Sequence, residues 1–258
     1  MPKFAANLSM LFTELPFPDR FAAAAKAGFR GVEYLFPYAM AKEDIAGLLR
    51  ANGLTQVLFN LPAGNWDAGE RGIGCHPGRV LEFQDGVAKA IDYAHALGCA
   101  QVNCLAGILP KGVAPQEAHR TLAANLKFAA SKLGDAGILL IAEPINIYDI
   151  PGFFLNRSAQ AIALFDEVGS DNLKLQYDIY HMQRMEGELA KTMERLLPRI
   201  AHIQIADNPG RNEPGTGEIN YPFLFEFIDR IGYKGWIGAE YKPAKATADG
   251  LGWLQRYN

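Results

Sequence analysis

Residues 138–143 read ILLIAE, an unbroken apolar run closed by a carboxylate, Glu143, with Pro144 behind it. A run this rich in Ile and Leu suits a strand buried on both faces of a parallel sheet, and nothing hydrophobic explains the acid at its end. Three later runs close on an oxygen donor in the same way: LKLQYD (173–178) on Asp178, AHIQ (201–204) on Gln204 and GWIGAE (235–240) on Glu240. The gaps between the four polar ends are 35, 26 and 36 residues, about the length of one strand-plus-helix unit.

Upstream, four more runs have the same character: FAANL (4–8), GVEYL (31–35), LTQVLFN (54–60) and QVNCL (101–105). Amphipathic stretches lie between them, among them PFPDRFAAAAKAG, EDIAGLLRANG, GVAKAIDYAHALG and NLKFAASKLG, several closing on the Gly expected after a helix. Eight strands alternating with helices predict an α/β protein with the (β/α)₈ TIM-barrel fold. No G-x-G-x-x-G follows the first strand, which removes the usual reason to prefer a dinucleotide-binding sheet. No linker or low-complexity tract divides the chain, so residues 1–258 read as one domain.

Composition narrows the function classes. Half of the 258 residues are hydrophobic, a fifth are charged, and the formal charge is −3, so neither nucleic acid nor an anionic membrane is an expected partner. No segment is apolar for long enough to span a bilayer. Lys3 ahead of several apolar residues imitates a signal peptide faintly, yet Asn7 and Ser9 interrupt it and no small-residue cleavage site follows. Cys75, Cys99 and Cys104 are odd in number and lack a C-x-x-C spacing, which predicts reduced thiols in a cytoplasmic protein. Cys104 has no base at diagnostic spacing and reads as a buried small hydrophobe.

In a closed parallel barrel, strand ends aim their side chains into one mouth, where active sites of this fold lie. Three carboxylates and one amide meeting there would make an all-oxygen site suited to Mg²⁺ or Mn²⁺ rather than Zn²⁺. Each acid alone could be a rim salt bridge, with Lys242 a competitor for Glu240; four independent rim bridges are a poorer account than one shared cation. Two long Gly-rich loops, 60–79 after the third strand and 207–222 after the seventh, would flank that mouth. They carry Arg71 and Arg211, candidates for holding a carboxylate in two-pronged fashion. Trp66, Tyr34, Phe36 and Tyr38 would wall the pocket or pack its rim.

The blocks LPAGNWDAGERGIGCHPGR, EPINIYDIPGF, QYDIYHMQRMEGEL and QIADNPGRNEPGTGEINY make the whole chain, from ANLSMLF to AEYKP, resemble the hydroxypyruvate isomerase family of the xylose-isomerase-like barrels. The resemblance implies that Glu143, Asp178, Gln204 and Glu240 are metal ligands and that Glu143 and Glu240 are the proton donor and acceptor. It implies that Asp149, His181 and Arg211 contact substrate, and that the reaction interconverts hydroxypyruvate and tartronate semialdehyde by proton transfer through an enediolate. Related ketose epimerases have His where Gln204 stands, a departure that weighs against sugar epimerisation here. A four-carbon 2-oxo acid isomerase, an enediolate dehydratase and a non-catalytic metal-binding barrel are the alternatives. A DNA-repair nuclease of this fold would bring a His-rich zinc cluster, and the chain has five histidines. Homo-oligomerisation is left open, a symmetric dimer being the default.

Overall fold

The computed structural model describes residues 1–257; the expected domain end at 258 lies outside them. Eight parallel strands alternate with helices: β1 (Lys3–Asn7), β2 (Gly31–Glu33), β3 (Thr55–Leu58), β4 (Gln101–Cys104), β5 (Leu139–Ala142), β6 (Leu173–Asp178), β7 (Ile200–Ile205) and β8 (Trp236–Ala239). Each lies within one of the apolar runs or shifts from it by a residue. The ladder runs β3-β2-β1-β8-β7-β6-β5-β4. The ring closes between β3 and β4 through a short parallel bridge at Asn60 and Asn103, where Leu61 N–H donates to the Asn103 carbonyl at 2.8 Å and Asn103 N–H to the Phe59 carbonyl at 3.0 Å.

Eight α-helices wrap the ring: α1 (Phe17–Lys26), α2 (Lys42–Asn52), α3 (Val80–Leu97), α4 (Pro115–Asp135), α5 (Ser158–Val168), α6 (Ile179–Met185), α7 (Leu189–Leu196) and α8 (Tyr221–Arg230). Gly53 and Gly98 end α2 and α3 in the left-handed region, where a glycine relieves the Cβ clash. Most of the core lies between the ring and the helices, with Phe21, Phe29, Phe165 and Phe225 among its fully buried members. Inside the ring is a separate, smaller cluster of Ala5, Val57, Leu58 and Ile141. Above it the interior turns polar, with Asn7, Glu33, Gln176, His202 and Gln204 all buried. A barrel interior is normally filled with layers of branched apolar side chains. Replacing a layer by amides, an imidazole and a carboxylate is therefore the first structural sign of a working site.

Among the described residues, no helix is long and apolar enough to cross a membrane.

Candidate active site

The C-terminal ends of the strands open into a cavity of about 590 Å³, lined by Glu143, His181, Gln204, Arg211 and Glu240 and, on the opposite side, by Tyr34, Asn60, Trp66 and Arg71. Glu143 and Glu240 each lie one residue beyond a strand, Asp178 is the last residue of β6, and Gln204 is within β7. The β6–β7 register shifts between Leu175 and Gln176, so Asp178 sits opposite Gln204 and Gln176 opposite His202. Such irregularities next to a site re-aim side chains.

Glu143, Asp178, Glu240 and His181 converge, each offering a ligand atom within 4.8 Å of the others, and all four are buried. This is the one cluster of its kind among the described residues. Asp178 divides its labour: Oδ1 accepts the His181 backbone N–H at 3.0 Å and caps α6, which typically stabilises a helix by about 1 kcal/mol. Its Oδ2 and the Oε1 of Glu143 are buried without a hydrogen-bond partner among the described residues. Two orphaned carboxylate oxygens in one buried cluster are expensive unless a cation is shared between them. Burial, reinforced by Glu240 and Asp178, pushes the Glu143 carboxyl well above the usual carboxylate range. Burial likewise raises Glu240 to about 8 and Asp178 to about 6, with Arg211 opposing both. Oxygen donors of this kind suit a hard divalent cation.

Gln204 is beside the cluster with its amide engaged on both sides: its Oε1 accepts from Gln176 at 2.5 Å and its Nε2 donates to Glu33 at 2.7 Å. Oε1 carries a second lone pair beyond the one that Gln176 uses.

The state of His181 follows from its neighbour Asn146, which the sequence reading did not single out. Asn146 Oδ1 accepts the backbone N–H groups of Tyr148 and Asp149 at 3.0 and 2.8 Å, so its Nδ2 must face His181 Nδ1, 2.6 Å away. Nδ1 is thereby an acceptor and the ring proton sits on Nε2, 3.7 Å from both Glu143 and Asp178. Burial, together with Arg211 and Arg184, holds the imidazole well below its ordinary value, hence neutral. His181 is thus placed to donate a hydrogen bond from Nε2.

Glu240 is paired with Arg211, not with Lys242: Arg211 Nη2 is 2.8 Å from Oε2, while Asn7 Nδ2 donates to Oε1 at 2.9 Å. Arg211 adopts φ 55°, a left-handed conformation that costs a residue bearing a Cβ about 1–2 kcal/mol and is characteristic of functional sites. The loop that presents it is organised by buried Asp207, whose carboxylate accepts backbone N–H groups from Asn208, Gly215, Gly217 and Ile219 at 2.9–3.0 Å. Asp149 is bonded by Asn146 and Tyr180, ion-paired with Arg184 and 3.9 Å from Arg211. Although desolvation works the other way, those hydrogen bonds and the two arginines keep Asp149 below its ordinary value. Arg184, which lines the cavity, was also missed; its place on α6 three residues after His181 is the only signal the sequence offered.

Across the cavity Arg71 stacks on the Trp66 ring, 4.2 Å from its centroid, and spends Nη1 on the Trp66 and Glu70 carbonyls. Phe36 meets Trp66 edge-on at 5.1 Å, whereas Tyr38 packs against Phe59 and Tyr93 and donates to the Asn60 carbonyl. Loop 60–79 is pinned to the β4 exit by close backbone approach: a Cβ on Gly72 would lie 2.6 Å from the Leu105 carbonyl oxygen. Cys104 is fully buried, its thiol pushed up to about 12 by desolvation, and so inert at neutral pH.

Comparison with known proteins agrees with this geometry. Residues 21–257 match the family model for the xylose isomerase-like TIM barrel. Over 257 residues the chain is 56% identical to the hydroxypyruvate isomerase of Escherichia coli, covering all of both proteins. It is 49% identical to the 2-oxo-tetronate isomerase of Cupriavidus necator, covering 100% of this chain and 99% of that protein. A crystal structure described as AP endonuclease, family 2, from Brucella melitensis superposes with a TM-score of 0.98 at 44% identity, covering all of both chains. The three-carboxylate cluster with its single imidazole does not resemble the His-rich zinc centre expected of a nuclease. The chain belongs to the xylose isomerase-like TIM barrel family, and these isomerases are among its relatives.

Proposed function

We propose that the protein interconverts hydroxypyruvate and tartronate semialdehyde, with Glu143, Asp178, Gln204 and Glu240 holding Mg²⁺ or Mn²⁺. The observation that carries this is the convergence of three buried acids and a neutral, donating histidine at one end of a closed barrel. Identity to the isomerase relatives over full length supports the same chemistry. When bound, the cation supplies positive charge for the negative charge that develops on the two substrate oxygens.

Glu143 is the group assigned to move the carbon-bound proton, because with Oε1 given to the cation its second oxygen is left for the proton, while both oxygens of Glu240 are already bonded. It takes a proton from C3 of hydroxypyruvate; the C–H electron pair becomes the C2–C3 double bond and the C2 carbonyl electrons move onto oxygen. The proton is returned to C2, while O2 gains a proton and O3 loses one to become the aldehyde. His181 donates from Nε2 to a substrate oxygen, and Glu240 serves as the second proton carrier between oxygens. Arg71 and Arg211 take the substrate carboxylate; Asp149 holds the Arg184 and Tyr180 wall against it. The three free cysteines, all buried, fit a reducing cytoplasmic setting.

A second reading is a four-carbon 2-oxo acid substrate. It is favoured by a cavity roomier than a three-carbon acid needs and by the 2-oxo-tetronate isomerase relative. An NMR time course in heavy water decides, with Mn²⁺ and with EDTA. Metal-dependent conversion of hydroxypyruvate, with label entering the carbon that gains the proton, is the expected result. Conversion of the four-carbon acid alone transfers the assignment to the second reading, and loss of water would make the protein a lyase.

A further inference from the structure

One buried carboxylate takes no part in the chemistry above. Glu33, at the end of β2, is 1% exposed. Three side-chain donors surround it: His202 Nε2 is 2.7 Å from Oε2, while Gln204 Nε2 and Asn7 Nδ2 lie 2.7 and 3.1 Å from Oε1. An ionised carboxylate only accepts hydrogen bonds, so any amide beside it must turn its nitrogen inward. Gln204 therefore faces Glu33 through Nε2 and directs Oε1 away from it. The Gln176 amide on the other side of Gln204 can present either its oxygen or its nitrogen, so of the two neighbours only Glu33 forces the choice. Asn7 shares its Nδ2 between Glu33 and Glu240, which ties a second acid of the cluster to the same anchor.

Space for Glu33 comes from a specific absence. A Cβ on Gly238 would lie 2.4 Å from both carboxylate oxygens of Glu33, so the glycine in GWIGAE is what admits the group. Strands β1, β2 and β8 each contribute one residue to this arrangement and β7 contributes two. A buried acid is poor value as packing, since an apolar residue of similar volume would serve at least as well.

We infer that Glu33 is a positioning residue: it locks the Gln204 amide with oxygen toward the cation and steadies Glu240 through Asn7. The inference rests on the ligand set proposed above. Outer partners of metal ligands commonly change affinity by 10- to 100-fold.

Calorimetric titration of the metal-free, full-length protein with Mn²⁺ alone tests it. Glu33→Gln should weaken Mn²⁺ binding by about 10- to 100-fold. Gln204→Glu placed in the Glu33→Gln protein should bring affinity back to within a few-fold of the starting protein. A carboxylate at 204 offers oxygen in either orientation, and the new amide at 33 can donate to it. A merely structural role for Glu33 would leave the Mn²⁺ affinity of a folded Glu33→Gln protein within a few-fold of the starting protein, which overturns the inference. If Glu33→Gln does not fold alone, the double variant decides by itself: tight Mn²⁺ binding supports the inference, and a folded protein that binds weakly overturns it. If Gln204→Ala weakens binding while Glu33→Gln leaves it unchanged, the ligand set stands and only the role of Glu33 falls. If Gln204→Ala binds like the starting protein, the ligand set fails and the inference falls with it.

Discussion

Strand β4 ends on Cys104, in register with Ala142 at the end of its ladder neighbour β5, and Glu143 stands one residue further on; Cys104 and Glu143 make an informative pair. Both residues are buried, and desolvation drives both toward their neutral forms. Cys104 has no other group to reverse that effect and remains a thiol. Glu143 has Asp178, Glu240 and His181 within reach, and a cation shared among them would restore its charge. The contrast extends around the mouth. Strands β5 to β8 present an acid-rich set with Glu143 Oε1 and Asp178 Oδ2 unpartnered among the described residues, while the β3 and β4 ends present neutral amides, Asn103 Nδ2 donating to Asn60 Oδ1 at 3.0 Å and Asn103 Oδ1 left unpartnered. Neighbouring positions at one end of the barrel thus differ according to whether burial is offset by other charged groups.

The sharpest way to break the contrast is to remove charge from the reactive half. Glu143→Gln should lower kcat/KM by about 10²–10⁴, the usual worth of a general base, with the circular dichroism spectrum of the folded barrel unchanged. Equal turnover by that variant would shift the proton-transfer role to Glu240.

A smaller effect follows from the raised acids. Glu240 goes from its ordinary 4.5 to about 8 and Asp178 to about 6, so protons occupy both in the metal-free protein at low pH and must leave when a cation binds. Mn²⁺ affinity should therefore rise on the order of 10- to 100-fold between pH 6 and pH 8, with proton release detectable by calorimetry in buffers of different ionisation enthalpy. The sign for stability is opposite. A carboxyl raised in the folded state contributes fully below 4.5 and its contribution is lost as pH climbs through about 8. Metal-free protein should thus melt at lower temperature at pH 8 than at pH 5, and Mn²⁺ should recover the difference. The smallest effect belongs to the inert half: Cys104→Ala should leave kcat/KM within about twofold while costing roughly 1 kcal/mol of stability from the lost buried sulfur contacts.

The eight strands were legible because each is an apolar run with nothing else to do, and Glu143, Asp178 and Glu240 because each closes such a run with a charge. His181 and Asp149 entered through the family resemblance, Arg71 through its loop, and Arg211 through both. Glu33 was hidden in GVEYL, where a three-residue strand gives too little alternation to show that the acid points inward. Asn146 and Asp207 were hidden for another reason. Their importance lies in hydrogen bonds to backbone groups and, for Asn146, to His181 Nδ1, and short-range pattern carries no trace of those bonds. Which amide end faces which partner is a property of three-dimensional networks alone.

The join between β3 and β4 has a mechanical meaning. A barrel is a hoop, and a hoop yields at its thinnest weld. Here the weld is the pair of backbone bonds around Asn103, with the Asn60 amide as a rivet, while every other seam is a multi-residue ladder. Amide protons of Leu61 and Asn103 should exchange with solvent ahead of those in β6 and β7, so the barrel can breathe on one flank while the acid cluster on the other keeps its shape.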